Sequence, residues 1–144
     1  MTLDEVTELA AREQFLAVVA TLRADASIQS SLVNAGVLDH PVTGVPTLAF
    51  VTYGPTKLRS LRDRPQVAVT FRSHWSWATI EGKAELIGPD DPHPQIDADR
   101  YRLLLRDIFT AAGGRHDDWD TYDKTMIDQG RVAVFVAASR IYSN

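Results

Sequence analysis

Six runs of strand length, rich in Val, Ile, Thr and aromatic residues, constrain what this chain can fold into more than any other feature. They cover residues 15–22, 28–38, 47–53, 66–72, 75–86 and 131–142. Most are joined by connections of hairpin length, with Asp25-Ala26-Ser27, Pro41 to Pro46 and Ser73-His74 as turn signals. Hairpin connections favour an antiparallel barrel over a doubly wound parallel sheet, whose crossovers need a helix each time.

The runs differ in pattern. Residues 15–22 are almost continuously apolar, with β-branched Val18, Val19 and Thr21, and are expected to be buried on both faces. In 28–38, Ser30, Leu32 and Asn34 alternate with Gln29, Ser31 and Val33; polar side chains inside a strand either satisfy neighbours or line a ligand cleft. Residues 75–86 form a long strand expected to break at Gly82, and 88–94, with three prolines, form a stiff loop.

Helices flank the strands. Thr2 and Glu5 have capping-box spacing ahead of a stripe of Leu3, Val6, Leu9 and Ala10, which predicts a helix over 3–13. A later helix, capped by Asp97 or Asp99, carries Leu104, Leu105, Ile108 and Phe109 and ends at Gly113-Gly114. Another starts near Asp117 or Asp118, carries Trp119, Tyr122, Met126 and Ile127, and stops at Gly130. The expected class is therefore mainly β (α+β), a single domain over 1–144 with no internal repeat.

Composition narrows the function. The chain has no cysteine, which removes disulfides and thiolate chemistry, and its formal net charge of −4 gives no reason to expect a nucleic-acid partner. No apolar run is long enough to span a bilayer, and the acidic, amphipathic start is unlike a secretory signal, so a cytoplasmic location is expected.

Against that acidic background one stretch is basic: between Tyr53 and Pro65 lie Lys57, Arg59, Arg62 and Arg64, opposed only by Asp63. Gly54-Pro55 ends a strand, Thr56 is placed to cap, and Pro65 stops the helix. Such a helix is either a solvated connector or, with its free N–H groups and first-turn lysine, an anion site.

The remaining candidates are weaker. His40, His74, His93 and His116 lack metal-ligand spacing, and no GxSxG, Walker or GxGxxG pattern occurs. The acids Asp117, Asp118 and Asp120 fit capping better than a cation site. Trp75 and Trp77, two apart on a strand, are expected on one face, either as a core or interface ladder or as a wall against a flat ligand, and Tyr142 is open to the same two readings.

The order of these features resembles the split β-barrel flavin/deazaflavin oxidoreductase superfamily, which includes the pyridoxamine 5′-phosphate oxidase-like proteins. The likeness rests on the turn with Asp25, the strand with Gln29 and Ser31, Lys57-x-Arg59-x-Leu61-Arg62-x-x-Pro65, and Trp75-Ser76-x-Ala78-x-x-Glu81-Gly82. The Asp118-Trp119-Asp120-x-Tyr122 helix and the Ile141-Tyr142 strand end resemble its actinobacterial branch, which uses the deazaflavin coenzyme F420.

The resemblance implies a six-stranded antiparallel split barrel that forms a homodimer with cofactor sites at the subunit interface. It assigns Lys57 and Arg59 to cofactor phosphate, Thr52, Tyr53 and Ser31 to the cofactor's surroundings, and Trp75, Trp77 and Tyr142 to the border of the cleft. The activity implied is hydride transfer from reduced F420 to a conjugated C=C or C=N of a small molecule, with no protein nucleophile or metal. FMN in place of F420, or a non-catalytic F420 carrier, are the alternatives. The chain departs from the family at Ala26-Ser27-Ile28, where Asp-Gly-x-Pro is common, and at Leu32 and Pro55, where relatives can carry Asn and Arg.

Overall fold

The computed structural model describes residues 1–144 and contains four helices and six strands. In chain order they are α1 (Leu3–Ala11), β1 (Leu16–Leu22), β2 (Ile28–Asp39), β3 (Pro46–Thr52), α2 (Pro55–Asp63), β4 (Gln66–Ser73), β5 (Ser76–Ile87), α3 (Ala98–Ala111), α4 (Trp119–Asp128) and β6 (Val132–Ser143). The strands close into an antiparallel barrel in the order β1-β2-β3-β6-β5-β4, with β4 returning to β1. The expected six-stranded split barrel with flanking helices is the fold observed.

Two hydrophobic clusters hold it. Inside the barrel, Val19, Leu48, Phe50, Val69, Phe71, Ile80, Val134 and Val136 meet Val6 and Leu9 of α1 and Leu61 of α2. Outside it, Ala49, Ala133 and Phe135 point the other way from β3 and β6 and pack under Leu104, Leu105 and Ile108 of α3 and Tyr122 of α4. Neighbouring residues on a strand face opposite sides, so β3 and β6 feed both clusters.

β1 does not behave as expected. Only alternate residues, Ala17, Val19 and Thr21, are buried, while Leu16 and Val18 are 38% and 45% exposed. Helices α1 and α2 pack onto the inner cluster, and α3 and α4 lie outside β2, β3 and β6, which leaves no helix over the outer side of β1 and the start of β2. An apolar sheet face formed by Leu16, Val18, Ile28 and Leu32 therefore remains open.

Other differences are local. The turn between β4 and β5 is His74-Trp75, with His74 at φ 53°, so Trp75 belongs to the turn and is 92% exposed. Trp75 is therefore not on the strand with Trp77, although both side chains border one groove. β5 runs through Gly82 without a break: the register against β6 shifts there, and a Cβ at Gly82 would collide with the Ala137 carbonyl. Thr56 does not cap α2; Gly54 is the N-cap, Pro55 the first helical residue, and no side chain caps the first turn. Thr2, Asp97 and Asp118 do cap their helices as acceptors.

Gly36 on β2 positions the site. A side chain there would run into the Ala111 carbonyl, so glycine lets the end of α3 lie directly on the strand.

Candidate cofactor-binding site

The end of β3, the start of α2, the middle of β2 and the facing sides of α3 and α4 enclose a cleft of about 650 Å³, within the usual range for small-molecule sites. Val33, Val51, Ile108 and Phe109 make much of its wall apolar. Two cations interrupt that wall, Lys57 from α2 and Arg131 from the residue before β6.

Lys57 is 8% exposed, and its Nζ donates to Thr52 Oγ1 at 3.3 Å and stands 5.9 Å from the centre of the Phe50 ring. Burial, and then the Arg131 charge, push its ammonium below the usual lysine range. Arg131 is itself lowered, first by burial; its guanidinium lies 3.9 Å over the Tyr53 ring, and Nε donates to Gln129 Oε1 at 2.8 Å. Neither cation forms a salt bridge, although the chain forms five elsewhere.

Placing a buried and a half-buried cation together without a carboxylate is unfavourable, because each loses hydration and each repels the other. An anion entering the cleft would reverse both effects. The uncapped first turn of α2 adds N–H dipoles of the same sign at the same edge. The residues therefore fit a ligand with an anionic group and a flat apolar body.

Tyr122 Oη donates to the Leu105 carbonyl at 3.1 Å, and burial raises the phenol to about 12. Its ring belongs to a cluster with Phe109, His116 and Trp119 at one end of the cleft, with centroids 4.9 to 6.3 Å apart.

Of the residues singled out from sequence, Lys57, Thr52 and Tyr53 meet in this cleft. Ser31 does not line it; its successors Leu32, Val33 and Asn34 do, and Ser31 pairs with buried Val19 on the barrel's inner face. Arg59 is exposed in an adjoining hollow with Arg62, on the far side of Tyr53 and Pro55. Trp75 and Trp77 line a separate open groove with Thr70, Arg72 and His74, and Tyr142 meets Trp77 edge-on at 6.0 Å. Sequence reading missed Arg131 and the α3–α4 wall. Arg131 stands alone between Gly130 and a strand, and only the β3–β6 pairing of Thr52 with Val132 brings it beside Tyr53.

Known structures share this fold. A conserved hypothetical protein of Mycobacterium tuberculosis superposes with a TM-score of 0.69 at 18% identity, covering 99% of this chain and 84% of that one. A pyridoxamine 5′-phosphate oxidase-related, FMN-binding protein of Nostoc punctiforme gives 0.65 at 12%, covering 97% and 81%. A protein described as an F420 reductase gives 0.59 at 15%, covering 90% of each chain. The model of the pyridoxamine 5′-phosphate oxidase family matches residues 3–139, nearly the whole barrel with its helices, and the chain belongs to that family.

Proposed function

We propose that the protein is an F420-dependent reductase acting on a conjugated C=C or C=N of a small molecule. The observation that carries this reading is the pair of cations without a counter-charge, buried Lys57 and half-buried Arg131, in a largely apolar cleft. The match to an F420 reductase over nine-tenths of both chains supports the deazaflavin, and the motifs around Lys57 and Trp119 agree with it.

When bound, the deazaflavin supplies the hydride chemistry. The chain's own residues then have three tasks. Lys57 and Arg131 hold the anionic part by charge-assisted hydrogen bonds. Val33, Val51, Ile108 and Phe109 keep water from the ring. Tyr122 keeps its proton, because its hydroxyl donates to the Leu105 carbonyl and burial raises its pKa to about 12, which leaves the proton that completes the product to another donor, the Tyr53 hydroxyl or water at the open mouth.

The site is completed by a second copy of the chain. The open apolar face includes Leu32, 64% exposed, which also borders the cleft. Side by side across the barrel, Leu32, Val18, Thr70, Thr79 and Tyr142 form one row on that face. Two chains packed face to face about a two-fold axis would cover the apolar residues and carry Trp77 and Tyr142 of each toward the cleft of the other. Leu32→Arg is expected to yield a monomer by light scattering; an unchanged mass would place the interface elsewhere.

FMN is the second reading, favoured by the family and by the FMN-binding relative. Titration with oxidised F420 and with FMN separates the two, and tight FMN binding with no F420 binding would overturn the deazaflavin. Turnover of reduced F420 with a panel of enones and quinones distinguishes an enzyme from a carrier.

A further inference from the structure

Behind the cleft, between the start of α3 and the end of α4, lies a second cavity of about 300 Å³. Pro89, Ala98, Tyr101, Leu105, Met126 and Ile127 give it an apolar wall. Met126 and Arg131 line both spaces, so the cavity adjoins the cleft through them.

Most of its polar groups are turned to other partners: the Arg131 guanidinium lies over the Tyr53 ring, which borders the cleft and not this cavity. The Asp123 carboxylate accepts from Arg106 Nε at 2.9 Å and from Arg102 Nη1 at 3.2 Å, and these contacts hold it below the usual carboxylate range. The Tyr101 hydroxyl donates to the Arg131 carbonyl. The Asp99 side chain is 90% exposed and faces solvent. The remaining wall is mostly apolar, with Asp99 the charge at its solvent edge, so a charged or strongly polar group would lose more hydration there than the wall restores. An uncharged apolar group would gain by leaving water.

We propose that this chamber seats an uncharged apolar ring or short alkyl arm of the molecule that reacts in the cleft. Its assignment to a reacting molecule rests on the proposed function; its preference for uncharged apolar matter does not. A cavity of about half this volume is enough for benzene in an engineered protein core, so an aromatic ring with small substituents fits.

The chain contains two methionines, Met1 and Met126. Labelling methionine methyl groups with carbon-13 therefore gives two signals, one of which reports from the shared wall. Titrating the ligand-free protein with toluene is expected to shift the Met126 signal saturably and leave Met1 unmoved. Ala98→Phe, which fills the mouth at an exposed position, and Ile127→Asp, which puts an unpaired carboxylate on the wall, should each weaken binding at least tenfold, with circular dichroism reporting that both variants fold. A Met126 shift that does not saturate, equal shifts at both methionines, or unchanged binding in both variants would overturn the chamber. In the F420 assay, Ala98→Phe should raise KM for enones bearing a phenyl arm at least fivefold over that for their unsubstituted parents. Toluene binding without that selectivity would overturn the arm's assignment and leave the cavity's preference standing. Absence of any turnover would count against the proposed function while the methionine signals still decide the cavity.

Discussion

The cleft and the α3–α4 helix pair treat the same kind of charge in opposite ways. Around the cleft, buried Lys57 and half-buried Arg131 stand near one another with no carboxylate in salt-bridge range. On the helices, Arg102 and Arg106 close on the single carboxylate of Asp123, and Arg106 also stacks 5.2 Å from the Trp119 ring. Charges that hold two elements together are satisfied within the chain. Charges kept from any internal counter-charge are left to be neutralised by something else, at some loss of stability in the empty protein.

The sharpest way to break this contrast is to remove the unpaired lysine. Lys57→Ala should weaken binding of a phosphate-bearing cofactor by about 1–3 kcal/mol, measured by titration at low salt, as for a lost charge-assisted hydrogen bond. An unchanged dissociation constant would show that the cation is not a ligand.

The paired side should answer differently. Asp123→Ala leaves two arginines without their shared partner and should lower unfolding stability by about 1–2 kcal/mol, with a smaller effect on cofactor affinity than Lys57→Ala. A denaturation midpoint equal to that of the parent would show that the trio does not hold α4 to α3.

Replacing Lys57 by Met keeps the bulk and removes the charge. Because the lysine's burial is uncompensated, Lys57→Met is expected to stabilise the ligand-free protein by about 1 kcal/mol while abolishing the gain from added cofactor. Loss of stability in the empty protein would mean that the charge has an internal partner after all.

The smallest effect is on pH. Burial and Arg131 hold Lys57 below 10.5, so the folded chain releases this proton at lower pH than the unfolded chain does. In the interval below 10.5 the unfolded chain binds more protons, and the Lys57 contribution makes ligand-free stability rise with pH. Over the same interval anion affinity falls, because the neutral amine no longer attracts the ligand. Thermal melts and titrations taken up to pH 10.5 should show stability rising while affinity falls, and Lys57→Arg, which stays protonated, should flatten both.

Much of the fold was legible in the sequence because strand periodicity and turn chemistry are local. All six strands and both long helices lie within two residues of their expected places, and Thr2, Asp97 and Asp118 cap where their spacing predicts. Trp75 was misplaced because a two-residue turn shifts the pleat by one position, and the exposed turn residue then looks like a strand residue. β1 misled for a different reason: a continuous apolar run records that both faces avoid water, not which body covers the second face.

The site was legible by half. Thr52, Tyr53 and Lys57 are adjacent in sequence and meet in the cleft because a strand end runs directly into a helix start. Ser31 and Arg59 lie outside the cleft by one strand position and one side of a helix, a distinction that composition does not carry.

The sequence by itself determined the strand and helix order, the basic helix after β3 and the absence of thiol chemistry, since each depends on residues close together along the chain. Only the tertiary structure decided that Arg131 joins Lys57, that α3 and α4 wall the cleft, and that one apolar face stays open. These depend on barrel closure, which pairs β3 with β6 across some eighty residues of chain and brings two cations together where neither has a counter-charge.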